Sequence, residues 1–157
     1  MHVLQQLLSA GRTLCQADIA SKKRLLESAA DIIHSEEHKL PVATVLSNLV
    51  AREKLGSTGL GNGIAIPHCR IAEATEAIGM LFTLASPIDF HAPDDQPVDI
   101  VFILLVPSEA HQEHLDVLAG LAGLFQQTEF CNSLRTATSA TELYELAINW
   151  PLPGEAA

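Results

Sequence analysis

The sequence predicts an α/β fold: a three-layer sandwich with a mixed, mainly central β-sheet flanked by helices. Three observations lead there. The run from Val98 to Val106 is almost continuously apolar, as expected of a central strand covered on both faces. Residues 78–84 form a second apolar run and supply a partner strand. Helical periodicity brackets this strand-rich middle on both sides.

The elements follow in order. Residues 3–8 fit a short helix and Arg12 to Gln16 a short strand. A helix runs from about Lys22 to His38, with Ser21 at the N-cap and Leu25, Leu26, Ala29, Ile32 and Ile33 at helical spacing. Lys22, Lys23 and Arg24 fill its first turn, where positive charge opposes the helix dipole, and read as long side chains reaching into water. The next helix starts at Pro41, a residue suited to a first turn, and buries Val42, Val45, Leu46 and Leu49. It ends near Lys54, because four glycines between Gly56 and Gly63 cannot continue it. Ile64-Ala65-Ile66 is a short strand that runs into Pro67-His68.

Between the two long strands, Ile88-Asp89-Phe90 adds a short one, and His91 to Pro97 is an acidic turn that includes Asp94-Asp95. After Pro107 a helix extends to about Gln126 with Leu115, Leu118, Ala119, Ala122 and Phe125 on its inner face. A helix over 128–136 comes next. Ser139 and Glu142 then have capping-box spacing ahead of Leu143, Leu146 and Ala147. Tyr144 and Trp150 read as packing residues. Residues 1–150 are expected to form one domain and residues 151–157 a frayed tail.

The chain has 157 residues, enough for one domain with a real core. Apolar residues make up 48% and charged residues 18%, a globular composition. Nine basic residues against nineteen acidic ones give a formal charge of −10. That excludes a general nucleic-acid binder, which must neutralise a row of phosphates, and it excludes attraction to anionic membrane surfaces. The run Ile100–Val106 is the longest strongly apolar one and is far too short for a bilayer, so no membrane insertion is expected. Met1 leads into an amphipathic stretch without the pattern of a secretory signal. Cys15, Cys69 and Cys131 are odd in number and lack C-x-x-C spacing; they read as reduced thiols in a cytoplasm. No cofactor motif and no metal-ligand spacing is present, and neither a cofactor nor a metal is expected.

The informative stretch is Arg52 to His68. Its glycines cost conformational entropy on folding, so they imply either a plain connector or a backbone that approaches a ligand closely. Exposed N–H groups beside the Ser57 and Thr58 hydroxyls suit an anion such as a phosphoryl group. No Gly-Lys-Ser/Thr follows, so this is not a Walker loop, and the glycines follow a helix, so it is not a dinucleotide fingerprint. Ser57 also lacks the strand–turn–helix context of a hydrolase nucleophile. Pro67 restrains the backbone at His68, which leaves a strand end, where α/β sheets place their ligand sites. Arg52 borders the apolar stripe of its helix. It is either a donor to a phosphoryl oxygen or a cation favoured by the helix dipole. Cys69 beside His68 reads as a small, partly buried thiol or as an oxidisable one at the site rim. Arg70 either docks a partner or pairs with an acid. His2, His34, His38 and His91 lack partners at motif spacing and read as surface side chains.

The run Arg52-Glu53-Lys54-Leu55-Gly56-Ser57-Thr58-Gly59-Leu60-Gly61-Asn62-Gly63-Ile64-Ala65-Ile66-Pro67-His68 resembles the active-site segment of the mannitol/fructose-type enzyme IIA domains of the bacterial phosphotransferase system. Its form is closest to the nitrogen-regulatory branch of that family. The resemblance extends through Ile103-Leu104-Leu105-Val106-Pro107, His114-Leu115 and Glu142-Leu143-Tyr144, and so covers nearly the whole chain.

It implies a phosphotransferase component with a mainly regulatory role, in which His68 accepts a phosphoryl group from an HPr/NPr-type phosphocarrier protein. It implies Arg52 and His114 as phosphate-stabilising donors, with His111 a neighbour sharing the helix face at i, i+3. Ser57, Thr58, Gly61, Asn62 and Gly63 become the phosphoryl-binding loop. The implied downstream partners are regulatory targets such as sensor kinases or potassium-transport proteins. Two alternatives stand beside this one: a IIA component of a fructose/mannitol-type sugar system, and a metal-binding sensor built on His68, Cys69, His111 and His114.

Overall fold

The computed structural model describes residues 2–109 and 112–151, apart from the Glu113 side chain. His111 and all of the expected tail beyond Pro151 lie outside the described residues. The order is helix α1 (Val3–Leu7), a 3₁₀ turn (Ala10–Arg12), strand β1 (Thr13–Ala17), helices α2 (Lys22–Glu36) and α3 (Val42–Leu55), and strands β2 (Gly59–Gly61), β3 (Ile64–Ala65), β4 (His68–Ile71), β5 (Ile78–Ile88) and β6 (Val98–Pro107). Helices α4 (Gln112–Phe125), α5 (Thr128–Thr136) and α6 (Ala140–Ile148) complete it. The six strands form one mixed sheet in the order β1-β5-β6-β3-β2, with β4 also paired to β6. β1 runs parallel to β5, β5 antiparallel to β6, β3 and β4 both parallel to β6, and β2 antiparallel to β3. The three-layer sandwich expected from the sequence is the architecture observed.

β6 organises the layers. Successive side chains of a strand point to opposite faces. Val101, Ile103 and Leu105 enter the core under α2 and α3, while Ile100, Phe102, Leu104 and Val106 enter the core under α1, α4, α5 and α6. One edge of β6 pairs with β5 along most of its length, as in Leu81 opposite Phe102. The other edge is shared: β3 pairs with its first half, Ile64 opposite Ile100, and β4 with its second, His68 opposite Leu104. Ile66 and Pro67 bridge the two short strands, and the Leu104 N–H donates to the Pro67 carbonyl at 2.9 Å. At Gly79 the sheet needs a missing side chain, since a Cβ there would stand 2.5 Å from the Phe102 ring and 3.1 Å from Leu7 Cβ.

Helix ends follow their caps. Ser21 Oγ accepts from the Arg24 N–H at 3.2 Å, and Ser139 Oγ from the Glu142 N–H at 3.1 Å, as the spacing predicts. The Glu142 carboxylate reaches back to the Thr138 N–H at 2.9 Å. Pro41 is the N-cap of α3, one place before the helix. α2 stops at Glu36, short of the expected His38, and the chain turns back through Glu37 and Leu40.

Several sequence expectations are corrected. Ile88-Asp89-Phe90 is not a separate strand: β5 runs on to Ile88 past an irregularity after Thr83, and Phe90 leaves the ladder to enter the core. The sequence pattern does not predict β2 and β4, two short segments that lie among glycines or directly after a proline. Lys22 does not reach into water. It pairs with the buried Glu53 at 2.6 Å and lies 4.7 Å from the centroid of the Phe90 ring, because a buried carboxylate needs a countercharge. His2 is not a surface side chain: its Nδ1 accepts from the Leu4 N–H, capping α1, and its Nε2 meets the Trp150 carbonyl at 2.8 Å. On α4 the inner face carries Leu121, Leu124 and Phe125, while Leu115 is 60% exposed and Ala119 exposed. The helix is apolar over much of its circumference, so periodicity alone does not choose the buried side. Trp150 does pack, 5.4 Å from the Phe130 ring centroid, and its indole N–H donates to the side-chain carbonyl of Gln127 at 3.2 Å.

The Phe102–Gly79 contact yields a stability test. Gly79→Ala overpacks the sheet face under α1, and its urea midpoint is expected to fall by the equivalent of about 1–3 kcal/mol. A midpoint equal to that of the parent chain would contradict the close approach.

Candidate functional site

His68 opens β4, and its side chain stands on the same face as Arg70, while Cys69 and Ile71 point to the opposite face and into the core under α2 and α3. The half-buried imidazole is fixed by a 2.8 Å contact between its Nδ1 and the Ile66 carbonyl oxygen. A carbonyl can only accept, so Nδ1 carries the proton, and in the neutral ring the lone pair is on Nε2. Pro67 between the two residues has no N–H and a restricted φ, which favours this short two-residue return.

Two clefts meet at His68. The larger, about 660 Å³, has Arg52 and Leu55 of α3, Arg70 of β4, Leu104 and Val106 of β6, and His114 of α4 in its wall. The smaller, about 370 Å³, runs past Ser57 to Leu60 and Ile66 to Ala119 and Ala122 of α4. Arg52, His68, Leu115 and Leu118 line both. Arg52, His68 and His114, which lie far apart in the chain, are therefore brought to one place. Arg52, in the last turn of α3, donates from Nη1 to the Gly56 carbonyl at 2.8 Å. His114 is 9% exposed. Around them the rim is apolar and open, with Leu55 85% and Leu115 60% exposed. The exposed Arg70 donates to the Ser108 carbonyl at 3.3 Å, and its own carbonyl accepts from the Asn48 side chain of α3 at 3.0 Å.

The glycine-rich stretch divides in two. Ser57, Thr58 and Gly59 line the smaller cleft, but both hydroxyls are engaged within the protein. Ser57 Oγ donates to the Phe90 carbonyl at 2.8 Å and accepts from the Gly59 N–H at 3.0 Å. The Thr58 hydroxyl donates to the Glu53 carboxylate, and the Thr58 N–H reaches the same carboxylate at 3.3 Å.

Gly61, Asn62 and Gly63 line neither cleft. Asn62 and Gly63, at φ 58° and 85°, form the two-residue connection between β2 and β3. Positive φ at both positions is what a tight twisted hairpin requires, and Asn-Gly is the pair that supplies it. The Asn62 N–H is taken by Asp94 at 2.9 Å, and its carbonyl by Arg135 at 3.1 Å. Asp94 is held below the usual carboxylate range by the Asn62 N–H and then by that of Gln96. The glycines expected to cradle a phosphoryl group thus include a hairpin turn, which the Asn-Gly dipeptide could have signalled.

Cys69 lines the larger cleft but is 8% exposed, and burial pushes its thiol up to about 12. A protonated thiol is a poor nucleophile and a poor metal ligand. Among the described residues no three His, Cys, Asp or Glu side chains converge to hold a metal ion. Among them, too, no helix is long and apolar enough to cross a membrane.

The chain is similar to known proteins over nearly its whole length. Residues 6–149 match a family model described as "Phosphoenolpyruvate-dependent sugar phosphotransferase system, EIIA 2". The nitrogen regulatory protein of Pseudomonas aeruginosa is 44% identical over 146 residues, covering 93% of this chain and 95% of the relative. That of Escherichia coli K12 is 41% identical over 145 residues, covering 92% and 86%. Among solved structures, the nitrogen regulatory protein IIA-Ntr from Neisseria meningitidis superposes with a TM-score of 0.86 at 44% identity, covering 92% of this chain and 98% of that one. IIA mannitol from Escherichia coli, at 22% identity and a TM-score of 0.71, shares the fold over 88% of this chain and 97% of its own.

The buried thiol sets a pH dependence. Folded Cys69 keeps its proton to about 12, whereas an unfolded thiol ionises near 9.0. Its contribution is therefore complete below pH 9 and is lost as the pH rises toward the folded value, at no more than ~1.4 kcal/mol per pH unit. Urea midpoints measured from pH 9 upward should fall less steeply in Cys69→Ala than in the parent chain. Cys131, raised to about 11 by burial, keeps part of the slope. Identical slopes would contradict the assignment.

Proposed function

The chain belongs to the EIIA type-2 family of the phosphoenolpyruvate-dependent sugar phosphotransferase system, and on that premise we propose that it is a phosphohistidine relay and regulatory protein with His68 as the phosphoryl acceptor. The observation that carries this reading is the imidazole whose Nδ1 is held by the Ile66 carbonyl, leaving Nε2 as the nucleophile beside an arginine and a second histidine.

The donor is a phosphohistidine carrier of the HPr/NPr type. The Nε2 lone pair of His68 forms a bond to phosphorus as the carrier's P–N bond breaks and its electron pair returns to the carrier's ring. The transferred group passes through a loose, metaphosphate-like state in most analyses, so the protein has mainly to position it and stabilise its charge. Arg52 suits that role, because its hydrogen bond to Gly56 uses Nη1 and a planar guanidinium can present further N–H groups to phosphoryl oxygens. His114, in the wall of the same cleft, is the second donor. The Ser57 and Thr58 hydroxyls shape the adjoining loop; the hairpin glycines hold its far end.

The exposed Leu55 and Leu115 give the carrier an apolar surface to cover, and Arg52 and Arg70 give it a local positive charge on an otherwise acidic protein. The phosphoryl group adds roughly −1.5 to −2 charges at this spot. The phosphorylated and free forms then present different surfaces to regulatory targets, for which sensor kinases and potassium-transport proteins are the candidates. The names of the relatives, nitrogen regulatory proteins, support a regulatory rather than a transport role.

Mass spectrometry after incubation with phosphoenolpyruvate, an enzyme I-type kinase and the carrier provides the test. One phosphoryl group is expected on the parent chain and none on His68→Ala; a labelled variant would overturn the assignment. Arg52→Ala should fold normally and accept the group on the order of 10²-fold more slowly. Unchanged kinetics would remove Arg52 from the mechanism.

A further inference from the structure

Glu53 follows Arg52 but faces another side of α3, toward a third cleft lined by Lys22, Lys23, Leu26, Val50 and His91. Its side chain is 5% exposed, a depth at which a carboxylate persists only with partners. It has three: the Lys22 ammonium at 2.6 Å, the Thr58 N–H at 3.3 Å and the Thr58 hydroxyl. Neither Arg52 nor His114 is among these partners, yet the contacts lead to the imidazole. The Thr58 carbonyl accepts from the Ile66 N–H at 3.1 Å, and the Ile66 carbonyl holds His68 Nδ1 at 2.8 Å. On the same helix turn, Arg52 donates to the carbonyl of Gly56, two residues before Thr58.

We infer that Glu53 is a positioning residue, one that sets the tautomer and orientation of His68 and its placement relative to Arg52 through the hydrogen-bonded path Glu53–Thr58–Ile66–His68. Thr58 is the shared point. Its N–H and hydroxyl are tied to α3, the helix that carries the arginine, and its carbonyl is tied to the segment that orients the imidazole. With the carboxylate in place, Arg52 and His68 are held in one frame. Without it, the Gly56–Gly59 loop keeps the Arg52–Gly56 and Ser57–Phe90 hydrogen bonds but loses its tie at Thr58, and the freedom of its glycine backbone is large. The Lys22 ammonium balances the buried charge and lies on α2, so the frame spans both helices of that layer. The inference rests on the relay reading for its kinetic consequence and on geometry alone for its effect on the imidazole.

Three variants and two readouts test it. Lys22→Met/Glu53→Met removes both charges together, which a buried pair tolerates better than loss of one partner. Glu53→Gln keeps an acceptor for Thr58. Thr58→Val removes the hydroxyl contact while leaving every charge in place, and so covers the case in which the double variant does not fold. The first readout is the ¹⁵N chemical shifts of the His68 ring, which report its tautomer without any phosphoryl transfer. The second is the rate of acceptance from the phosphorylated carrier as a function of carrier concentration.

In the double variant and in Thr58→Val, the ring is expected to lose its uniform Nδ1–H form, and the maximal rate to fall on the order of tenfold or more at unchanged KM, with Glu53→Gln nearer the parent. A merely structural role would lower the melting temperature and leave the ring shifts alone. Folded variants with parental ring shifts and parental rates would overturn the inference. If the parent chain itself takes no phosphoryl group, the relay reading falls, and the ring shifts alone decide for or against Glu53.

Discussion

Strand β6 carries nine apolar or proline residues out of the ten from Val98 to Pro107, and eight of those nine are buried. A segment of this kind must have both faces covered by helices and both edges paired, since its N–H and C=O groups have no water to bond. β5 meets the requirement on one edge. On the other edge no single strand is long enough, and β3 and β4 divide the work. The break between them, at Ile66-Pro67, is the place where the imidazole of His68 turns back on the Ile66 carbonyl. His68 thus sits where the sheet changes strands along β6, next to a backbone hydrogen bond from Leu104 to Pro67.

Around that point, an acidic protein gathers two arginines and a second histidine. Arg52 arrives from α3, Arg70 from β4 and His114 from α4, while Glu53 is turned to another side of its helix and neutralised by Lys22. Two neighbouring residues on one helix therefore do opposite things: Arg52 faces the cleft and Glu53 anchors the loop that borders it. The rim is apolar as well as basic, which suits a surface that is covered by a protein rather than by a small solute.

Much of the candidate site is readable along the chain because its signals are local. Pro67-His68 after a strand, Arg52 at a helix end and the intervening glycines all fall within seventeen residues. What misleads is the assumption that those glycines share one purpose. Asn62-Gly63 makes a hairpin, and Gly59 makes room for Ala92, whose Cβ would lie 2.8 Å from a side chain there. The hydroxyls of Ser57 and Thr58, which the resemblance assigns to a phosphoryl-binding loop, donate here to the Phe90 carbonyl and the Glu53 carboxylate, and only the second of these partners is near them in the chain.

Binary pattern, caps and a short motif are properties of neighbouring residues. They specify the helices, the central strand and the position of His68 without any knowledge of the fold. Contacts across space settle what remains. They choose which side of α4 is buried, since that helix is apolar over too much of its surface for periodicity to choose. They send Lys22 inward to a carboxylate thirty-one positions later in the chain. They bring His114 to a cleft formed by an arginine and a histidine more than forty residues before it. The physical reason is the same in each case: desolvation penalties and packing depend on what lies across space, and a linear pattern does not record it.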